Sequence, residues 1–389
     1  MTAFFSPDNS IETFVKVIDS AKTFIDVSCP GFSSWSNCTQ FNGPPYGCAP
    51  AYLRANEQFP VFQALLNAAH RGVKIRMLAN RFDGQNSSPG LVTPFDFLAL
   101  QSNVQAFEFQ TVTFLHTKHL LVDNKVAIVS SVNNDYTSFM ENREAGIVIN
   151  GTSFAPVFQF LSKMLNVDFA LAAPWKLQTY DAAAMQTILD PTPVPVVFPK
   201  AHPYKHAYVS QTTTIAAPFA QMTMLANPDD AFDITYAAMS NATSSIEIMI
   251  YQITDDPFCN VLVQQYQNGV SIKLLVSDRI YSDVDWKAAT KCYTTLYNAG
   301  ITVRKCSSHI YRFSHQKFFI IDGDNFFLSS GNLGETDFPS GSNVFPPPPN
   351  FRRTNRDHTV NIISSRVAQA YRTVMAADYA LGYDFVPRN

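Results

Sequence analysis

The chain is sparing with charge. Only 15% of its 389 residues are Asp, Glu, Lys or Arg, and these balance to a net −3. That balance excludes a whole-surface pull on nucleic acid or anionic lipid at neutral pH. No apolar run reaches the roughly 18 residues that a membrane-spanning helix needs, so no transmembrane segment is expected. The opening Met1-Thr2-Ala3-Phe4-Phe5-Ser6-Pro7 lacks the charged and long apolar regions of a secretion signal, which leaves a cytosolic chain or a trimmed mature form. No cluster of Cys and His has zinc-ligand spacing, and no basic repetitive tract suggests a duplex-DNA reader. No metal and no cofactor are expected.

What is present points to a packed globular protein. Hydrophobic residues make up 46% of the chain, which argues against extensive disorder. Six cysteines, an even number, suit disulfides in an oxidising space. Cys29, Cys38 and Cys48 crowd one Pro/Gly-rich insertion, whereas Cys259, Cys292 and Cys306 lie in the second half; 15 pairings are open. Glycosylation sequons begin at Asn37, Asn86, Asn150 and Asn241, a number close to chance expectation. Eight histidines, protonated near pH 5, would turn the net charge positive and suit a polyanionic substrate in an acidic compartment. A lumenal or secreted location is the expectation.

Internal repetition organises the rest. An apolar helical stretch at Ser10–Ile18 leads into a strand at Thr23–Val27, and Asp230–Ala238 leads likewise into Ser245–Tyr251. A helix from Phe62 to Gly72 precedes the strand Val73–Leu78; its counterpart runs from Asn260 to Gly269 and precedes Val270–Val276. Each half then carries His-x-Lys-x4-Asp: His116, Lys118 and Asp123, then His315, Lys317 and Asp322. After each Asp six residues intervene before Ser130-Ser131-Val132-Asn133 and Ser329-Ser330-Gly331-Asn332. Asn142-Arg143-Glu144 and Asn355-Arg356-Asp357 follow, each leading into a strand. Alternating helices and short apolar strands predict an α/β fold. The domains are read as residues 1–185 and 221–389, with a Pro-rich linker and crossover at 186–220 around Asp190–Pro195.

The doubled residues suit phosphate chemistry. Histidine serves as nucleophile, acid or base near neutrality, and a neighbouring lysine supplies fixed positive charge for a phosphate oxygen. Residues i and i+2 of a strand face one side, so each His and Lys would share a pocket. Asn133 and Asn332, with Ser131 and Ser330, are candidates for binding the remaining phosphate oxygens. Glu144 and Asp357 could each accept the second imidazole N–H and fix the tautomer. Asp123 and Asp322 are read as structural residues that tie the motif down. A lone His-x-Lys carries no weight. Two copies, each followed at one distance by Ser-Ser-x-Asn and later by Asn-Arg-acid, do.

These motifs resemble the phospholipase D superfamily, and the doubled pattern covers nearly the whole chain. The resemblance implies two α/β/α sandwich domains with mixed, mostly parallel sheets, packed as a pseudo-twofold dimer within one chain. It also implies a metal-independent ping-pong route through a phosphohistidine, with His116 as nucleophile and His315 as general acid and base. Within the superfamily the chain looks most like the lumenal, endolysosomal phospholipase-D-like 5′-exonucleases, through Leu115-His116-Thr117-Lys118 and the Asn332 to Phe338 passage. It departs from the family's usual Gly-Ser pair at Ser130-Ser131 and Ser329-Ser330, and it adds Pro346–Pro349. The resemblance thus leads to a single-strand-specific exonuclease on DNA or RNA, working 5′ to 3′ at acidic pH. Phe114, Tyr136, Phe139, Tyr311, Phe313 and Phe338 are candidates for stacking on bases. A phospholipase D or phosphatidyl transferase acting on phospholipid is the alternative, and an inactive binding descendant the third reading.

Overall fold

Ile11, Phe14, Val15 and Ile18 recur at helical spacing and are buried in the helix Ser10–Asp19. Pro60–His70 and Asp256–Gln267 form the paired helices of the repeat. Both stop at glycines with left-handed backbone, Gly72 (φ +85°) and Gly269 (φ +90°), as helix ends favour. The computed structural model describes residues 1–32, 47–55, 60–80, 88–110, 114–198, 213–214, 220–340 and 354–387. The Pro346–Pro349 segment and Cys38 lie outside them.

Each half builds one mixed sheet. In the first, the order is Thr213–Thr214, Thr2–Ser6, Glu144–Asn150, Val126–Ser130, His119–Val122, Phe24–Ser28, Lys74–Ala79, Val104–Glu108 and Ala173–Pro174. In the second it is Gln221–Asn227, Asn355–Ile363, Asn325–Ser329, Lys317–Ile321, Ser245–Ile250, Ser271–Ser277, Val303–Cys306 and Tyr383–Asp384. The repeat is in register: Ile25 faces Val122 as Ile246 faces Ile321.

The sheets are mixed, but the expected parallel majority is corrected. Among the described residues, parallel pairing within each half joins only the three strands linked by helical crossovers. The motif strands and the two that follow run as an antiparallel meander. The first connection of each meander, residues 123–125 and 322–324, is too short for a parallel return, which needs a dozen or more residues.

Helices cover both faces of each sheet. One core lies beneath Ser10–Asp19, Pro60–His70 and Pro94–Ala99, and another beneath Asp256–Gln267 and Asp283–Asn298. A third is shared between the halves and includes Leu121, Ile147 and Leu161 with Phe318, Val360 and Tyr371. Its helices are the equivalent 17-residue Ala155–Leu171 and Ser365–Leu381. The shared core makes the two halves one folding unit. Residues of the expected linker lie against the first half, where Ile188 and Val194 are buried and Asn67 bonds the Val194 backbone.

A disulfide joins Cys259 to Cys292 between two helices of the second half. Cys48 is also disulfide-bonded, while Cys29 and Cys306 are buried free thiols. No helix among the described residues is long and apolar enough to cross a membrane.

Candidate active site

Each half hands its motif to the other. His116 N–H donates to the Arg356 carbonyl at 2.8 Å, and His315 N–H to the Arg143 carbonyl at 2.7 Å. Phe114–Leu115 pairs in parallel with Asn355 and Arg356, and Ser314 bridges to Arg143. This pairing corrects the expectation that put each whole motif on its own sheet strand. His116 and Lys118 precede the strand His119–Val122, and His315 precedes Lys317–Ile321. Their backbone is engaged across the domain boundary instead.

The imidazoles are crossed in the same way. His116 Nδ1 lies 3.0 Å from Asp357 Oδ1, and His315 Nδ1 lies 2.9 and 3.0 Å from the two oxygens of Glu144. A buried carboxylate accepting Nδ1–H leaves Nε2 as the reactive nitrogen. The histidine side chains are 13% and 12% exposed, against 0% for both carboxylates. Each pair thus opens to solvent on the histidine side only. Lys118 and Lys317 are buried, and each ammonium donates to the carbonyl of its own motif histidine, at 2.5 and 2.6 Å.

Burial sets the electrostatics. It lowers Lys118 to about 8 and Lys317 to about 7, while the carboxylates around them resist the drop. Desolvation likewise holds His315 at about 4, although Glu144 pulls it up, and pushes His116 well below its usual range. Asp357 is raised, chiefly by burial. Glu144 is raised by burial but ends below the ordinary carboxylate range, because His315 and Lys317 favour its charge.

Ser131 and Ser330 serve differently from the sequence expectation. Each hydroxyl donates its single proton at 2.6 Å, Ser131 to Glu144 and Ser330 to Asp357. In this arrangement the serines orient the carboxylates. Asn133 and Asn332 each keep a buried Oδ1 without a hydrogen-bond partner among the described residues. Asp123 accepts backbone N–H groups of Lys22, Thr23 and Phe24, and Asp322 those of Thr243, Ser244 and Ser245. Both adopt positive φ (+52° and +51°) where the chain turns out of the motif strand. Of the aromatic candidates, Phe139, Tyr311 and Phe338 are core residues at 0 to 1% exposure and cannot stack on a base. Phe114 and Phe313 remain half-buried, each two residues before a site histidine.

Sequence reading passed over three residues. Asp337 lies 3.6 Å from His116 Nδ1 and accepts both the backbone and side-chain N–H of Asn332. It has no counterpart at the same spacing after Asn133, so repeat matching discards it. The arginines of the Asn-Arg-acid signature have partners that their spacing does not reveal. Arg143 is fully buried against Asp378 of the other half and Asp8, and Arg356 against Asp168 of the other half. Asp168 and Asp378 hold the same position in the two equivalent helices.

Among the described residues, His116, Asp337 and Asp357 have ligand atoms close enough for a metal ion, all within 4.8 Å of one another. The Lys118 ammonium already acts on both of these carboxylates and opposes a second cation there. Lys118, Lys317 and His315 all act electrostatically on His116, so two imidazoles and two ammonium groups share one site.

A family model described as "Cardiolipin synthase, PLD-like domain" matches residues 46–165 and 236–379. Cardiolipin synthase A of Pseudomonas putida (strain GB-1) is 36% identical over 112 residues, 29% of this chain and 22% of that protein. The 5'-3' exonuclease PLD3 of Xenopus laevis is 27% identical over 168 residues, 42% of this chain and 31% of that protein. The matches therefore span less than a third of either relative. Phosphatidylserine synthase of Haemophilus influenzae Rd KW20 shares the fold, with a TM-score of 0.63 at 10% identity, covering 98% of this chain and 87% of that one. With both halves matched, each around its own His-x-Lys motif, this chain belongs to the PLD-like domain family of the phospholipase D superfamily.

Proposed function

We propose that this chain is a metal-independent phosphodiesterase that works through a phosphohistidine, and that its substrate is single-stranded DNA or RNA, shortened from the 5′ end at acidic pH. The observation that carries the mechanism is the crossed pairing of His116 with Asp357 and His315 with Glu144. His116 Nε2 attacks phosphorus while the proton of His315 Nε2 goes to the leaving oxygen. His315 then takes a proton from water, whose oxygen displaces the phosphoryl group from His116. Lys118, Lys317, Asn133 and Asn332 hold the non-bridging oxygens.

The acidic optimum has support from the protonation states the site favours. A nucleophile must be neutral and an acid protonated; burial favours the neutral form of His116, and at pH 5 a fraction of His315, held at about 4, carries its proton. The likeness to the 5'-3' exonuclease supports nucleic acid as substrate. Acidic activity also suits a lumenal, endolysosomal or secreted setting, in which the exposed Asn150 and Asn241 would carry glycans.

The phospholipid reading has its own support in the likeness to cardiolipin synthase A. One experiment separates the two. Single-stranded oligonucleotides labelled at either end and vesicles of phosphatidylcholine and phosphatidylglycerol are incubated with the protein at pH 5 and 7.5 in EDTA. Stepwise shortening from the 5′ end with intact lipid is the expected result. Headgroup release with intact oligonucleotide would move the protein to lipid and keep the mechanism. Activity only on adding a divalent metal would overturn the mechanism.

A further inference from the structure

His116 and His315 hold equivalent places in the repeat, yet their surroundings differ by one carboxylate. His315 Nδ1 meets Glu144. His116 Nδ1 meets Asp357 at 3.0 Å and also Asp337 at 3.6 Å. Asp337 is 3% exposed, and its carboxylate is fixed by Asn332 and by the Asn355 side chain. Its place depends on Gly331. A Cβ there would lie 2.9 Å from both Asp337 Cβ and Asp357 Cγ, closer than such contacts tolerate. The first half has Val132 at the corresponding point. The acid that follows Asn133, Asp135, caps the helix Tyr136–Met140 through the Ser138 N–H. The second half thus departs from the repeat twice, at Gly331 and at Asp337, and both departures act on His116.

We propose that Asp337 is a positioning residue that makes His116, and not His315, the carrier of the phosphoryl group. The proposal deepens the covalent reading above and rests on it. When the Nε2–P bond forms and the P–O bond to the leaving group breaks, His116 keeps its Nδ1–H and becomes a cation. Two carboxylates face that N–H, where His315 has one. Burial and the neighbouring Asp357 raise Asp337, so the two acids share negative charge that the cation forming on His116 draws toward Nδ1, and this lowers the barrier to the phosphohistidine.

The test uses the full chain and bis(p-nitrophenyl) phosphate, whose phenolate leaves without an acid. Rapid mixing of wild-type protein gives a nitrophenolate burst from formation of the intermediate. Asp337→Asn and Asp337→Ala are expected to slow the burst about 10- to 100-fold, with KM and binding of inorganic phosphate retained. Wild-type burst rates in both variants would overturn the proposal. So would loss of phosphate binding together with the burst in both, since that result makes Asp337 a structural residue only. A wild-type protein that turns over without any burst would overturn the covalent reading itself, and the Asp337 proposal with it.

Discussion

At the scale of single residues, the site joins two demands that water would set against each other. Lysines hold positive charge for the phosphate, yet burial makes that charge fragile. Lys317 at about 7 loses its proton on the alkaline side, so kcat/KM should fall above about pH 7 and be higher at pH 5 than at pH 7.5. A flat profile between these values would contradict the assignment. Replacing His116 by Ala removes the attacking nitrogen, and turnover should drop by roughly a thousandfold or more, while EDTA should have no effect. The residues that sequence made legible are the repeated ones: His116, Lys118, Asn133 and Glu144 with their partners. Recurrence at fixed spacing needs no knowledge of contacts. Ser131 and Ser330 repeat too, but their roles depend on where one proton points, which spacing does not encode. Asp337 breaks the repeat, and its only trace is Gly331 standing where the first half has Val132.

At the scale of elements, the helices Ala155–Leu171 and Ser365–Leu381 do more than cover sheets. They carry Asp168 and Asp378 to the buried guanidinium groups of Arg356 and Arg143 in the opposite halves. Each arginine directly precedes a site carboxylate, so the ion pairs fix the backbone on which Asp357 and Glu144 stand. Removing one partner leaves a buried, uncompensated charge. Arg356→Ala or Asp168→Ala should therefore destabilise the protein by about 3–5 kcal/mol in denaturant titration, whereas an Arg356→Met/Asp168→Leu double variant should lose less. Equal losses in single and double variants would count against this reading.

The neighbouring strands add a buried pair, His119 and His358, whose Nδ1 atoms are 3.2 Å apart across the domain boundary. Burial keeps His119 near 3 and His358 well below its usual range. Below about pH 6.5 the unfolded chain binds more protons at these two residues than the native one, so this pair makes stability rise with pH from about 3 to 6.5 and fall on acidification. The other halves of the repeat carry Phe318 and Ala145 at these points. A His119→Phe/His358→Ala variant should thus show a shallower loss of melting temperature between pH 6.5 and 4 than the wild type. The interface helices and their acids were not legible in the sequence, because their partners lie some two hundred residues away.

At the scale of the whole molecule, the expected positive swing near pH 5 is smaller than the histidine count implies. Burial pushes His70, His116, His119, His315 and His358 down, so these five resist protonation there. Attraction for a polyanion must come from the site lysines rather than from the surface as a whole. The fold class and its twofold plan were legible because hydrophobic periodicity and order of elements recur. The antiparallel share was not, since pairing direction depends on which strands become neighbours. The halves depend on each other: Glu144 serves His315, Asp357 serves His116, and one core is common to both. A chain of residues 1–185 alone should be inactive in the oligonucleotide and lipid assays.

The central claim, a covalent route through His116, is tested most directly by trapping the intermediate. Wild-type protein mixed with bis(p-nitrophenyl) phosphate is quenched in alkali, where phosphohistidine survives, digested, and mapped by mass spectrometry. A p-nitrophenylphosphoryl adduct on the peptide containing His116, absent from the His116→Ala protein, is the predicted result. An adduct on His315, or turnover that leaves no adduct on either histidine, would contradict it.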